Sequence, residues 1–540
     1  MVRLVDDYLK NKDAFKTAGI RVPTYDQSSV KKATDQAPTW IHFGGGNIFR
    51  CLHAAVNQTL LNEGLNDKGI LVVDTWDDEV ISKTYHAFKN RTLSVITRAD
   101  GQFDKELIAS VTGSYYFNAS AQEDWNTVVS VFKKPSLQIA SFTITEKGYG
   151  LTDVNGNLTK LVQSDIETGP LQPKNTMAQV TYLLYERFKA GAHPLAMLST
   201  DNFSQNGDKL KKSVLTIAKG WLENSKAERA FIDYLEDGTK VSFPLSMIDR
   251  ITPNPSEEVA KLLHKDSFED TEIIHTAKHT NTAPFVNTEE VHYLVIEDHF
   301  PNGRPALEKG GVYMVDRDTV NNADEMKVTT CLNPLHTALA INGCLLGYHS
   351  IADEMKDEDL VQLIKKVGYT EGLPVVTDPK IINPKAFIDQ VVEKRLPNPF
   401  TPDTPQRIVT DTSQKLAIRY GETIKSYIAH PELDVKQLTF IPLVIATWVR
   451  YLIGKDDAGE NLELRPDPLL DSLTQLVSGV ELGNPVDVHT VLHPILTNTG
   501  IFGVDLYKAE LGEKIEGFFE KLIAGPGAVR KTIHDTLQAY

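Results

Sequence analysis

Thr39-Trp40-Ile41-His42-Phe43-Gly44-Gly45-Gly46-Asn47-Ile48-Phe49-Arg50 is the stretch whose reading decides the fold. Thr39–Phe43 has the β-branched and aromatic texture of a buried strand. It runs straight into three glycines. Beyond them Ile48, Leu52, Val56 and Leu60 recur every four residues, which predicts a helix that Gly64 closes. Gly69-Ile70-Leu71-Val72-Val73-Asp74 then reads as a second apolar strand ending in an acid. Strand, glycine turn, helix, strand, acid is the βαβ order of a dinucleotide site. Glycines let backbone approach a pyrophosphate, and a helix N-terminus favours its charge. A carboxylate at the second strand's end hydrogen-bonds a ribose hydroxyl and repels a 2′-phosphate, so Asp74 predicts NAD rather than NADP. Phe49 stands where a third glycine belongs. A Gly-x-Gly turn also occurs in methyltransferase-like sheets, which keeps a nucleotide-binding sensor or methyltransferase-like protein as the alternative of another class.

Downstream, Arg98-Ala99-Asp100-Gly101 marks a turn between extended runs, and Trp125–Phe132 reads as a helix. Leu137–Thr145 and Pro194–Leu198 read as further buried strands. Ligands of open α/β sheets sit beyond the carboxyl ends of strands. That rule makes Thr145–Tyr149, and the exit Ser199-Thr200-Asp201-Asn202 with Asn206-Gly207, candidate site segments. Residues 208–240 read as helical, and 241–250 as extended. His275 and His279 are spaced like two ligands on one helix face, but no third ligand accompanies them, so they read as solvated. From about 317 onward the apolar spacing is helical throughout, as in 360–364, 415–428 and 438–453. The expected architecture is an α/β Rossmann-type domain over 1–316, with an N-terminal extension, followed by an all-α domain over 317–540.

Composition sets limits on partners. With 540 residues, 41% hydrophobic and 24% charged, the chain can bury a sizeable core in more than one domain. A net charge of −16 argues against nucleic acid and an anionic membrane surface as partners. Three cysteines, Cys51, Cys331 and Cys344, lack metal-finger spacing and suit a reducing compartment. Met1–Asp7 carries no long apolar run, so no signal peptide is expected. The most apolar stretch, 438–453, contains Pro442 and Arg450 and reads as a buried helix. These features together predict a cytoplasmic protein, a monomer or small homo-oligomer, whose ligands are small molecules.

Glu325-Met326-Lys327-Val328-Thr329-Thr330-Cys331-Leu332-Asn333-Pro334-Leu335-His336 holds the densest chemistry. Val328–Leu332 reads as a strand or extended entry. Asn333 reads as an N-cap, with Pro334 at the first helical position and His336 in the first turn. Taken alone, these are a cap, a first-turn residue and a solvated lysine. Taken with a nucleotide domain, they read as a proton-transfer site: a lysine acid/base, an amide donating to an oxyanion, and a histidine holding a substrate hydroxyl.

Several segments together resemble the polyol-specific long-chain dehydrogenases, the mannitol dehydrogenase family, which also includes hexuronate reductases. Phe43–Arg50 is similar to their nucleotide turn. Thr143-Ile144-Thr145-Glu146-Lys147-Gly148-Tyr149 is similar to their Thr-x-Thr-Glu-x-Gly-Tyr element. Ser199–Asn202 with Asn206-Gly207, the signature around Ile248-Asp249-Arg250, and Glu297–Pro305 follow in the family's order. The resemblance implies a Rossmann-type domain, a helical domain and an active site between them. It implies Gly44, Gly46, Asn47, Ile48, Asp74 and Thr145 around NAD. It also implies Lys327 as the base, Asn202 and Asn333 as oxyanion donors, His336 as a substrate ligand, and Asp249, Arg407 and Lys415 around the substrate. The family's usual lysine-to-asparagine gap is five residues, whereas Lys327 to Asn333 is six. Either the entry segment bulges by one residue or the base lies elsewhere.

The reaction so implied is reversible hydride transfer at a secondary alcohol of an open-chain sugar derivative, with no metal. Glu146-Lys147-Gly148-Tyr149 most resembles the hexuronate reductases, and Lys147 and Arg407 are candidates to face a carboxylate. The expected pair is D-fructuronate and D-mannonate, with tagaturonate/altronate next and a hexitol such as mannitol third.

Overall fold

Six apolar runs of the N-terminal half become one parallel sheet. We number its strands β1 (Trp40–Phe43), β2 (Ile70–Asp74), β3 (Val111–Tyr116), β4 (Ile139–Phe142), β5 (Leu195–Ser199) and β6 (Val241–Ser242). Their spatial order is β3-β2-β1-β4-β5-β6, with every neighbouring pair parallel. Strand order reverses between β1 and β4, which pair from Trp40↔Ile139 to Phe43↔Phe142. That is the switch point where open α/β sheets bind ligands. The computed structural model describes residues 1–540 and divides into two compact units, Met1–Asn321 and Asn322–Tyr540.

The sheet is apolar on both faces because helices cover both. Alternate residues feed opposite cores. Ile41, Phe43, Leu71, Val73 and Phe142 join Trp125, Leu184 and Trp221 on one face. Trp40, Ile70, Val72 and Ile139 join Leu52, Val56 and Leu60 on the other. The predicted helix after the glycines is present, but it opens with a π-helical turn, Phe49–His53, before Ala54–Asn62. Two buried histidines of this sandwich meet hydroxyl groups. His42 bridges Ser141 Oγ at 2.7 Å and Thr143 Oγ1 at 2.8 Å, and His53 Nε2 meets Thr200 Oγ1 at 2.8 Å.

The predicted turn at 98–101 joins the antiparallel strands Thr92–Thr97 and Phe103–Ile108. Ile20–Arg21 and Phe285–Glu289 complete that second, four-stranded sheet. The extended run at 241–250 splits: its first two residues form β6, while Ser246–Asp249 pairs with Tyr293–Glu297 in a separate sheet. Pro244 lies at the break, and proline cannot donate to a ladder. His275 and His279 belong to a tight hairpin, Ile274–His275 against Asn281–Thr282, and His279 has φ +63. They share no helix face. No group of three or more His, Cys, Asp or Glu side chains is disposed to hold a metal ion.

The C-terminal unit is helical, with one isolated bridge, Lys455↔Asn461. Helix Phe440–Tyr451 is buried along its whole length. The Glu371 carboxylate caps its start, accepting from Phe440 N and Ile441 N, each at 2.7 Å. Arg450 closes its end on the carbonyls of Lys455 and Asp456. Glu371 thereby satisfies N–H groups that a buried helix start leaves orphaned, while Arg450 pins the loop that follows the helix. No helix is long and apolar enough to cross a membrane.

Candidate active site

In the N-terminal unit the candidate residues gather at the carboxyl ends of β1, β2, β4 and β5. Gly44 is required on two counts. Its φ is +111, and a Cβ there would lie 2.1 Å from the Thr143 carbonyl oxygen. Gly46 differs, because a Cβ there meets nothing within 4 Å. It leaves open space in front of the helix that begins at Asn47, the place where a pyrophosphate needs close backbone. Asn47 spends its side chain on the protein, donating to Pro253 O at 3.2 Å and accepting from Arg50. Buried Arg50 in turn donates to Ala283 O at 2.7 Å. Ile48 is half-buried on the same turn.

Asp74 ends β2 as expected. Its Oδ1 accepts from Trp76 N and Asp77 N, each at 2.8 Å, and Oδ2 faces Gly45 N at 3.4 Å. Burial pushes its carboxyl up from the usual range. The acid thus shapes the turn after β2 and touches the glycine turn.

Beyond β4, Thr145 opens a single helical turn, Thr145–Gly148, with φ +63. That conformation is costly for a β-branched residue. Asp201, just past β5, holds it in place. Its carboxylate accepts from Ile144 N at 2.9 Å, Thr145 N at 2.8 Å and Tyr149 OH at 2.6 Å. Sequence reading saw Asp201 only as an acid at a strand exit. Asn202 follows it and is exposed, as is Lys147 on the helical turn. Asn206 ties the exit of β5 to Ser246, and Asp249 is buried at the end of Ser246–Asp249.

In the C-terminal unit the entry segment is not extended. Lys327–Cys331 is a π-helical turn, with Leu332 N donating to Lys327 O at 3.1 Å. The run Val328-Thr329-Thr330 favours a strand in isolation, but helix continues on both sides of it and burial decides. Asn333 is the first residue of helix Asn333–Leu345 rather than its cap. Leu332 holds the cap position, with φ −127 and no side-chain cap. Lys327 is buried, 4% exposed, with Nζ 3.5 Å from Asp324 Oδ1.

His336 lies half-buried in the first turn of that helix. Desolvation pushes its pKa down to about 4, against the pull of Asp403, so the imidazole is neutral near pH 7. Arg419, Arg407 and Arg395 are the positive charges that act on it. Asp403 binds Arg407 through both oxygens, at 2.7 and 2.6 Å. Lys415 donates to the carbonyls of Thr410 and Ile408, and burial followed by Arg419 lowers its pKa. The structure therefore groups His336, Arg407 and Lys415 with two residues the sequence reading did not single out, Asp403 and Arg419. Asp403 had a signal, standing one helical turn before Arg407. Arg419 had none.

Comparison with known proteins finds relatives along the whole chain. The profile of the mannitol dehydrogenase Rossmann domain matches residues 38–309, and that of the mannitol dehydrogenase C-terminal domain matches 319–523. The chain is 52% identical to the D-mannonate oxidoreductase of Thermotoga maritima over 99% of both sequences. Among solved structures, substrate-free D-sorbitol dehydrogenase matches 95% of this chain and 97% of its own, at 25% identity and a TM-score of 0.78. Pseudomonas fluorescens mannitol 2-dehydrogenase, in a ternary complex with NAD and D-mannitol, matches 97% of both chains at 25% identity and a TM-score of 0.68.

Proposed function

This chain belongs to the mannitol dehydrogenase family of oxidoreductases acting on CH–OH groups, and on that premise we propose that it interconverts D-fructuronate and D-mannonate with NAD. The observation that carries the substrate is the 52% identity with a D-mannonate oxidoreductase along the whole chain.

The residues at the switch point fit a dinucleotide. Gly44 makes the turn, Gly46 leaves room for phosphate, Asn47 and Ile48 open the helix behind it, Thr145 borders it from β4, and Asp74 offers a carboxylate to a ribose hydroxyl. When bound, the nicotinamide gives or takes the hydride. In reduction the ketone oxygen gains charge. Asn202 and Asn333 donate to it, and Lys327 delivers the proton to it. In oxidation Lys327 takes that proton back, which requires its neutral form. His336, already neutral, holds a substrate hydroxyl, and Asp249, Arg407 and Lys415 contact the rest of the chain of hydroxyls. Lys147 borders the same substrate from the β4 exit.

The six-residue gap between Lys327 and Asn333 is compatible with these roles. A π turn takes up one residue more than an α turn. Six residues with one π turn therefore cover about the rotation that five cover in α geometry.

A panel of D-fructuronate, D-tagaturonate and D-fructose with NADH and with NADPH tests the reading. Fructuronate with NADH should give the highest kcat/KM. Turnover of D-fructose alone, or of nothing with either cofactor, overturns it.

A further inference from the structure

We propose that Arg419 receives the substrate carboxylate and so makes this a site for sugar acids rather than neutral polyols. The inference rests on the hexuronate reading above and names the residue that sets it.

Arg419 lies in the π-helical turn Ala417–Gly421. Its Nη1 donates to Thr337 Oγ1, next to His336 in the first turn of helix Asn333–Leu345. Tyr420 OH donates to Pro334 O at 2.7 Å, which fastens the Arg419 backbone against the same helix start. The guanidinium is thus fixed beside the residues proposed to hold the substrate.

The electrostatics of Arg419 are unlike those of the other arginines. Arg187 is fully buried, and it gives hydrogen bonds to the backbone carbonyls of Phe132, Lys134, Leu137, His193 and Pro194. Arg450 likewise ends on the carbonyls of Leu522, Lys455 and Asp456. Arg407 is neutralised by a two-point pair with Asp403. Arg419 makes one hydrogen bond, to a neutral hydroxyl, and no ion pair, and burial lowers its pKa to about 10. A guanidinium carries five donors in a planar fork, matched to a carboxylate. Arg419 is half-buried with donors left over, so a ligand carboxylate can reach it and pair with it.

The surroundings favour the same ligand. The charges of Arg419 and Lys415 act on one another, and Arg407 also acts on Lys415. The helix start behind Thr337 has no side-chain cap, so its positive end is available to an anion. The other cations first considered for the carboxylate are less suited: Arg407 is already paired, and Lys147 is exposed.

The test compares wild type, Arg419→Met and Arg419→Lys with NADH, on D-fructuronate and on D-fructose at matched enzyme concentration. Charge-assisted hydrogen bonds of this kind are worth about ten- to hundredfold. Arg419→Met should lower the fructuronate/fructose ratio of kcat/KM at least about tenfold, through KM for fructuronate, and Arg419→Lys should restore part of it. NADH fluorescence titration of each variant confirms a folded nucleotide unit, and circular dichroism compares helix content. A ratio that falls less than tenfold in the folded Met variant overturns the role of Arg419. Failure of the wild type to reduce fructuronate overturns the hexuronate reading instead, so the two failures are told apart by the wild-type row.

Discussion

His336 Nε2 stands 3.4 Å from Asp403 Oδ2 without hydrogen-bond geometry, while that carboxylate binds Arg407 through both oxygens. Asp403 is therefore committed to the arginine, and the histidine stays neutral with a ring nitrogen to spare for a ligand. Its folded pKa, about 4, lies below the unfolded 6.5. As pH falls through that window the unfolded chain takes the proton first, so stability falls from pH 6.5 to about 4 and is flat above 6.5. The effect reaches about 3 kcal/mol in acid. Urea denaturation of wild type and His336→Gln at pH 7 and pH 4.5 measures it. The variant should lose less stability than wild type between those two values.

Glu354 works in the opposite direction. It is fully buried, neither carboxyl oxygen has a hydrogen-bond partner, and burial pushes its pKa up to about 10. The folded protein keeps it protonated while the unfolded chain ionises it above about 4.5, so its contribution to stability erodes as pH rises from 4.5 toward 10. Glu354→Gln keeps the shape and removes that ionisation. It should be more stable than wild type at pH 8 and nearly equal at pH 4.5. An equal difference at both values rules out a protonated Glu354.

Gly343 is the space that Glu354 occupies. A Cβ at 343 would lie 1.4 Å from Glu354 Oε1. Gly343→Ala should cost at least the roughly 1–3 kcal/mol of an overpacked core. Gly343→Ala combined with Glu354→Ala should recover part of that loss. Additive losses in the double variant mean that the two side chains do not share the space.

Cofactor choice turns on Asp74. Substituting alanine would also loosen the turn that its Oδ1 caps, so Asp74→Asn is the cleaner change. The asparagine oxygen can still accept from Trp76 N and Asp77 N, and the negative charge is gone. Wild type should prefer NADH clearly, and Asp74→Asn should narrow the preference by raising kcat/KM with NADPH. Equal use of both cofactors by wild type defeats the expectation.

The N-terminal fold was legible because its signals are local. Strand, glycine turn, helix and Asp74 follow one another in sequence, and the alternation of Ile41, Phe43 and Val73 with Trp40 and Val72 separates the two cores. The π turn at Phe49–His53 was not legible, because one extra residue in a helix leaves no compositional mark, whereas the one at Lys327–Cys331 showed only as the six-residue gap to Asn333. Lys327–Cys331 was also masked by its β-branched residues, whose strand preference loses to the helices on either side. The candidate site was half legible. Motif spacing nominates Lys327, Asn333 and His336, whereas Asp201 and Arg419 act through partners more than fifty residues away, Ile144–Tyr149 and Thr337.

Lys327 carries the sharpest prediction. It is buried in the π turn that precedes helix Asn333–Leu345, with its Nζ 3.5 Å from Asp324 Oδ1. As the proton donor and acceptor, its loss in Lys327→Ala should cut kcat about a hundred- to ten-thousandfold, the range typical of general acid–base removal. NADH affinity should change little, because the glycine turn and Asp74 belong to the N-terminal unit. The pH–rate profile for mannonate oxidation should lose the ionisation on its acidic limb, where the base becomes protonated, and methylamine or ethylamine should restore some rate. Amine rescue separates a missing proton carrier from a disturbed π turn, since a free amine cannot repair backbone. Lys327→Arg gives a second control: it keeps the charge but a guanidinium does not give up its proton, so it should be nearly as slow as the alanine variant. Near-normal turnover in Lys327→Ala with an unchanged profile would remove Lys327 from the chemistry and leave His336, neutral and with a free ring nitrogen, as the side chain to test next.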